Sequence, residues 1–113
     1  MKNDDGWIAV DFDGTLAHYD HFRGDDHFGK PIEPMVRRVR KWLLEGHQVK
    51  LLTARPPSSG LRQWMREHLG QILEITNKKD HQMKVLVDDR AINAERNTGA
   101  VDEAALKILL GKT

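Results

Sequence analysis

The order of apolar segments predicts an α/β sandwich with a mainly parallel sheet. Four apolar runs of strand length occupy residues 7–10, 49–52, 72–75 and 85–87. They are mostly continuous rather than alternating, the pattern of strands buried on both faces of a parallel sheet. Segments of helical period lie between and after them, giving the order strand, helix, strand, helix, strand, strand, helix. With 113 residues the chain fits one domain and one modest core.

Each element has its local signals. The first strand, 7–10, runs directly into Asp11-Phe12-Asp13-Gly14-Thr15. Pro34 suits a first helical turn, and Met35, Val36, Val39, Trp42 and Leu43 form an apolar stripe that ends before Gly46. After the second strand, Ser58 or Ser59 caps a helix whose stripe is Leu61, Trp64, Met65, His68 and Leu69, with Gly70 as its stop. Asp102 caps a last helix carrying Leu106, Leu109 and Leu110, and Val101 and Leu106 are spaced as a hydrophobic staple around that cap. Residues 14–33 are glycine-rich and polar, and 54–60 hold two prolines and two serines, so both read as loops. Each follows a strand end, where open parallel sheets place their ligands.

Composition narrows the classes. Charged residues are 31% and hydrophobic ones 39%, with a net charge of +1 from 18 basic and 17 acidic residues, so no global field draws the chain to nucleic acid or to a membrane surface. No cysteine is present, which excludes disulfides, thiolate chemistry and cysteine-based zinc sites. No run approaches the roughly 18 apolar residues of a membrane span, and the start does not read as a signal peptide. A cytoplasmic location with no membrane partner is expected.

The polar groups cluster at the strand ends. Alternate residues of a strand face the same side, so Asp11 and Asp13 point into one site while Phe12 turns to the core. Gly14 permits a sharp turn immediately afterwards. Thr53 ends the second strand, Lys78 and Lys79 follow the third, and Asp88-Asp89 end the fourth. Two like charges about 4 Å apart repel by roughly 4 kcal/mol at an effective dielectric near 20, so such a gathering calls for a hard cation. All-oxygen donors without cysteine favour magnesium over zinc. A hydroxyl and an ammonium beside that metal suit a phosphoryl group.

On these residues the chain resembles the haloacid dehalogenase superfamily of phosphohydrolases. The four motifs occur in order: Asp11-Phe12-Asp13-Gly14-Thr15, Thr53, a lysine after the third strand, and Asp88-Asp89. The closest likeness is to the minimal, capless members, phage-encoded ones among them, through Thr53-Ala54-Arg55, Ile75-Thr76-Asn77 and Asp88-Asp89-Arg90-Ala91. The resemblance implies a Rossmann-like three-layer sandwich over residues 1–113, with a flap loop at 14–33. It implies that Asp11 attacks phosphorus to give an aspartyl phosphate, and that Asp13 acts as general acid and then base. Asp11, the Asp13 carbonyl and Asp88 would hold Mg2+, with Asp89 beside them. Gly14, Thr15, Thr53, Ala54, Arg55 and Lys79 would line the phosphoryl site, Lys79 being preferred to Lys78. The substrate implied is a phosphomonoester of unspecified leaving group.

Several residues carry two readings. His18, Asp20, His21, Asp25, Asp26 and His27 read as a polar flap in preference to a second metal site, with His18, His21 or Arg23 near the leaving group. Arg37, Arg38, Arg40 and Lys41 read as the wet face of a helix in preference to a nucleic-acid surface, so nucleic acid is allowed but not favoured. Arg55 and Arg90 either pair with the acidic site or bind a second anionic group of the substrate. The gaps 14–52 and 54–78, of 39 and 25 residues, leave no room for a cap domain. An open site favours a macromolecular substrate or a homo-oligomer whose neighbour lends a lid. The rival readings are a nucleic-acid end phosphatase, a non-catalytic phosphate-binding protein, and a signalling receiver domain, whose motif order is the reverse of this one.

Overall fold

The computed structural model describes residues 6–111, and the stretch read above for a leader, residues 1–5, lies outside them. The elements are β1 (Trp7–Val10), α1 (Glu33–Leu44), β2 (Gln48–Leu52), α2 (Ser59–Leu69), β3 (Glu74–Thr76), β4 (Met83–Val87) and α3 (Glu103–Leu110). The four strands form one sheet in the order β3-β2-β1-β4, and every pairing is parallel. The fold is thus the expected Rossmann-like α/β sandwich. Two successive crossovers step the same way along the sheet, and right-handed connection then puts α1 and α2 on one face. A single core accordingly joins Ile8, Val10, Val49 and Leu51 to Val36 and Val39 of α1 and to Leu61, Trp64 and Met65 of α2.

Helix ends follow local chemistry. Pro34 occupies the first turn of α1. The Ser58 hydroxyl accepts from the Leu61 N–H at 3.1 Å to start α2, and Gly70 ends it in the left-handed conformation at φ 83°. Asp102 caps α3 by accepting from the Ala105 N–H at 3.1 Å. No helix among the described residues is long and apolar enough to cross a membrane.

Three details differ from the sequence expectation. β3 begins at Glu74 rather than residue 72, because Leu73 is spent as a buried plug of the core while Ile72 stays 40% exposed. β4 begins two residues earlier than expected, because Trp7 pairs with Met83 before a register shift brings Ile8 opposite Val85. α3 forms, yet it contributes no fully buried side chain, and Leu110 is 74% exposed.

The segment 14–33 is two things. Leu16 and Ala17 are fully buried. The Ile32 N–H donates to the Leu16 carbonyl at 2.7 Å and the His18 N–H to the Lys30 carbonyl at 2.8 Å, which makes a short antiparallel stem. The flap proper is 18–30, mostly exposed. No further helix or strand is inserted after β1 or β2 among the described residues, in keeping with a capless domain.

Candidate active site

The site lies beyond the carboxyl ends of β1, β2 and β4. The ladder runs one residue past β1, since the Asp11 N–H donates to the Val87 carbonyl at 2.9 Å. Phe12 then turns fully inward, edge-on to Trp64 at 4.8 Å and to Phe28 at 6.1 Å. That inward turn leaves Asp11 and Asp13 half-buried on the walls of one cavity of about 250 Å³, as the strand period required.

Gly14 follows at φ 86°, and a Cβ there would collide with the carboxylate of Asp89. The turn folds Thr15 beneath the cluster. Its buried hydroxyl accepts the Asp89 N–H at 3.1 Å and reaches Asp89 Oδ1 at 3.4 Å and Asp11 Oδ2 at 3.5 Å. Thr15 therefore ties the end of β1 to the loop after β4. Asp88 steadies that loop by accepting the Arg90 N–H at 2.8 Å. At the tip of β2 the buried Thr53 donates its N–H to the Thr76 carbonyl at 2.9 Å, and its hydroxyl accepts the Arg55 N–H at 3.1 Å.

Asp11, Asp88 and Asp89 each offer a carboxylate oxygen within 4.8 Å of the others. At that separation each pair repels by about 3 kcal/mol at an effective dielectric near 20. The consequence falls on Asp11, which is half-buried. Burial, the charge of Asp88, a hydrogen bond with Asp89 and the charge of Asp89 together push its pKa up from 3.8 to about 7. The donor set is all oxygen, which fits a hard divalent cation.

Asp13 is held differently. Arg55 donates to both of its oxygens, Nε to Oδ2 at 2.8 Å and Nη2 to Oδ1 at 3.1 Å. Of the two readings of Arg55, the structure shows the ion pair with the acidic site. Arg90 lies at the cavity mouth beside Tyr19, Phe22 and Asp25, and its side chain makes no hydrogen bond or ion pair among the described residues.

Other expected residues are placed less centrally. Ala54 lines the cavity, but Lys78 and Lys79 are exposed and do not. His18, His21 and Arg23 do not line it either. Asp20 binds Arg23 at 2.7 Å and the His21 N–H at 2.7 Å, and the Arg23 guanidinium holds the Asp20 carboxyl well below the usual range. Among the described residues the flap provides no grouping of three metal-ligand side chains, so the second metal site is not supported. The basic run of α1 is exposed and off the cavity; Arg40 bonds the His68 carbonyl at 3.4 Å and Lys41 lies 4.0 Å from Glu45. The residues missed were Tyr19 and Phe22, 50% and 67% exposed. Tyr19 and Phe22 are two of three Phe/Tyr residues in an otherwise polar loop, and that was the available signal.

Neither a protein-family model nor a curated protein matches the chain. Among solved structures the chain is similar to the conserved protein coded by a locus of Bacteroides thetaiotaomicron, with 22% identity, a TM-score of 0.55, and coverage of 91% of this chain and 87% of that one. At that identity the likeness shows the α/β fold alone.

Proposed function

We propose that the chain is a magnesium-dependent phosphomonoester hydrolase of the haloacid dehalogenase type, working through an aspartyl phosphate on Asp11. The observation that carries this reading is the convergence of Asp11, Asp88 and Asp89 within 4.8 Å beside a cavity that Asp13 and Thr53 also line. Asp11, Asp88 and Asp89 would hold Mg2+, with the Asp13 carbonyl as the further ligand the resemblance implies. The ion would offset the repulsion between these carboxylates and the phosphoryl oxygens.

The side chains divide the remaining work. A carboxylate oxygen of Asp11 attacks phosphorus, an O–P bond forms, and the bond from phosphorus to the leaving oxygen breaks. Asp13 passes a proton taken up from solvent to that oxygen, then takes one from the water that attacks the aspartyl phosphate, releasing inorganic phosphate and restoring Asp11. The Thr53 hydroxyl keeps its proton free to donate to a phosphoryl oxygen, because it accepts from the Arg55 N–H. Lys79 is assigned to the phosphoryl group on the resemblance; Arg55 and Arg90 are the cations that line the cavity itself.

The test is phosphate release from an aryl phosphate, with magnesium and with chelator, for the wild type and Asp11→Asn. Release that needs magnesium and vanishes in the variant is the expected result. Release by Asp11→Asn at the wild-type rate would refute the mechanism.

A further inference from the structure

We propose that Arg55 is a positioning residue that couples the flap to Asp13, so that the carboxylate is held in place only while the flap is down. The guanidinium spends two donors on Asp13 and two on the flap backbone: Nη1 to the Asp25 carbonyl at 3.2 Å and Nη2 to the His27 carbonyl at 2.8 Å. Four of its five N–H groups are thereby engaged, and Nη2 serves both sides. Its central carbon lies 5.5 Å from the ring of Phe12, in the core, and 4.9 Å from the ring of Phe28, in the flap. Its side chain is only 10% exposed.

The rest of the flap is anchored lower down. The Trp64 Nε1–H donates to the Gly29 carbonyl at 2.9 Å, and a Cβ on Gly29 would collide with the His18 carbonyl, so the base of the flap is closely packed. Beyond that base, Phe28 packs edge-on against Phe12, and the polar link to the body is Arg55. Asp13 makes no hydrogen bond to the flap itself. Lifting the flap removes two acceptors and an aromatic face from the guanidinium, and the planar fork that aligns Asp13 loses its own support. Lysine cannot replace it, because one ammonium does not present a planar fork to Asp13 and to both carbonyls. The consequence for proton transfer rests on the phosphohydrolase reading; the coupling does not.

The experiment reads flap opening without turnover. Arg23 is a tryptic site on the exposed part of the flap, and cleavage there requires local opening. Nicking after Arg23 is compared, without magnesium or substrate, for the wild type, Arg55→Lys, Asp13→Ala and Asp13→Asn, with the amide exchange of Ile8–Val10 as the measure of an intact core. Coupling predicts that all three variants nick at least fivefold faster at unchanged core protection. Where Asp13→Ala loses core protection, the isosteric Asp13→Asn decides. Fast nicking in Arg55→Lys with wild-type nicking in both Asp13 variants would overturn the proposal, leaving Arg55 as a flap anchor alone. Unchanged nicking in all three would overturn it as well. In a catalytically active preparation, Arg55→Lys lowers kcat more than it raises KM. Absence of phosphatase activity leaves the nicking result to judge the coupling by itself.

Discussion

Replacing Asp11 by asparagine is expected to end turnover and, at the same time, to stabilise the metal-free protein. The Asp11 carboxyl is raised from 3.8 to about 7 by burial first, then by Asp88 and Asp89. Between about pH 4 and 7 the native state therefore keeps a proton that the unfolded chain has lost, so stability falls as pH rises through that window. Full expression of the displacement would amount to about 4 kcal/mol. Asp11 is half-buried, and screening by the solvent it touches reduces this to about 2 kcal/mol. Asparagine has the same shape, does not ionise, and offers Asp89 an N–H. The stability difference between variant and wild type should open between pH 4 and 7 and stay constant above. At pH 8 it should correspond to a midpoint about 8 °C higher for Asp11→Asn. Thermal denaturation followed by tryptophan fluorescence, in chelator at pH 5, 6, 7 and 8, measures it. Parallel pH curves for the two proteins, or a less stable variant at pH 8, would refute the account of the acidic cluster.

Three further outcomes follow from the same geometry. Magnesium affinity measured calorimetrically should weaken as pH falls below about 7, approaching tenfold per pH unit, because the ion must displace the Asp11 proton. Gly14→Ala places a Cβ at φ 86° against the Asp89 carboxylate, so it should cost about 1–3 kcal/mol in urea denaturation and abolish the stabilisation by added magnesium. Phe22→Ala removes an exposed aromatic from the cavity mouth, so it should leave stability within about 0.5 kcal/mol and raise KM for an aryl phosphate severalfold, as lost stacking of about 1 kcal/mol implies.

The parts of this fold that were legible are those governed by short spacing. The alternation of Asp11, Phe12 and Asp13 states which two residues share a wall, and the capping side chains Ser58 and Asp102 mark helix starts within a turn. An apolar run states burial without stating its form. Ile72 and Leu73 read as strand, yet Leu73 fills the core ahead of β3. Likewise the stripe of α3 states which face would be covered and says nothing of whether a surface is there to cover it. Pairings across long separations left no trace. Arg55 stands 42 residues from Asp13, and its two readings differ only in three-dimensional position. The flap reads correctly as a polar loop rather than a metal site, but the residues expected near the leaving group are not those at the cavity: Asp20 is spent on Arg23 and His21, while Tyr19 and Phe22 line it.

The distribution of charge explains why the four carboxylates do not act as one cluster. Asp13 already has its counter-charge in Arg55, at 2.8 Å and with 10% exposure of the guanidinium side chain. Among the described residues no cation pairs with Asp11, Asp88 or Asp89; Thr15 bonds Asp11 and Asp89, and the Arg90 N–H bonds Asp88, which orients carboxylates without neutralising them. On the proposed reading a divalent cation would be drawn to those three rather than to Asp13, whose side chain would stay free of the metal. Two aspartates two residues apart thus acquire separate chemistry from their neighbours: Asp11 from like charges, Asp13 from a guanidinium that also holds the flap. A neutral residue at 55 would return Asp13 to the repulsive group, so on the proposed reading the Arg55–Asp13 ion pair would also confine the metal to the Asp11 side of the cavity.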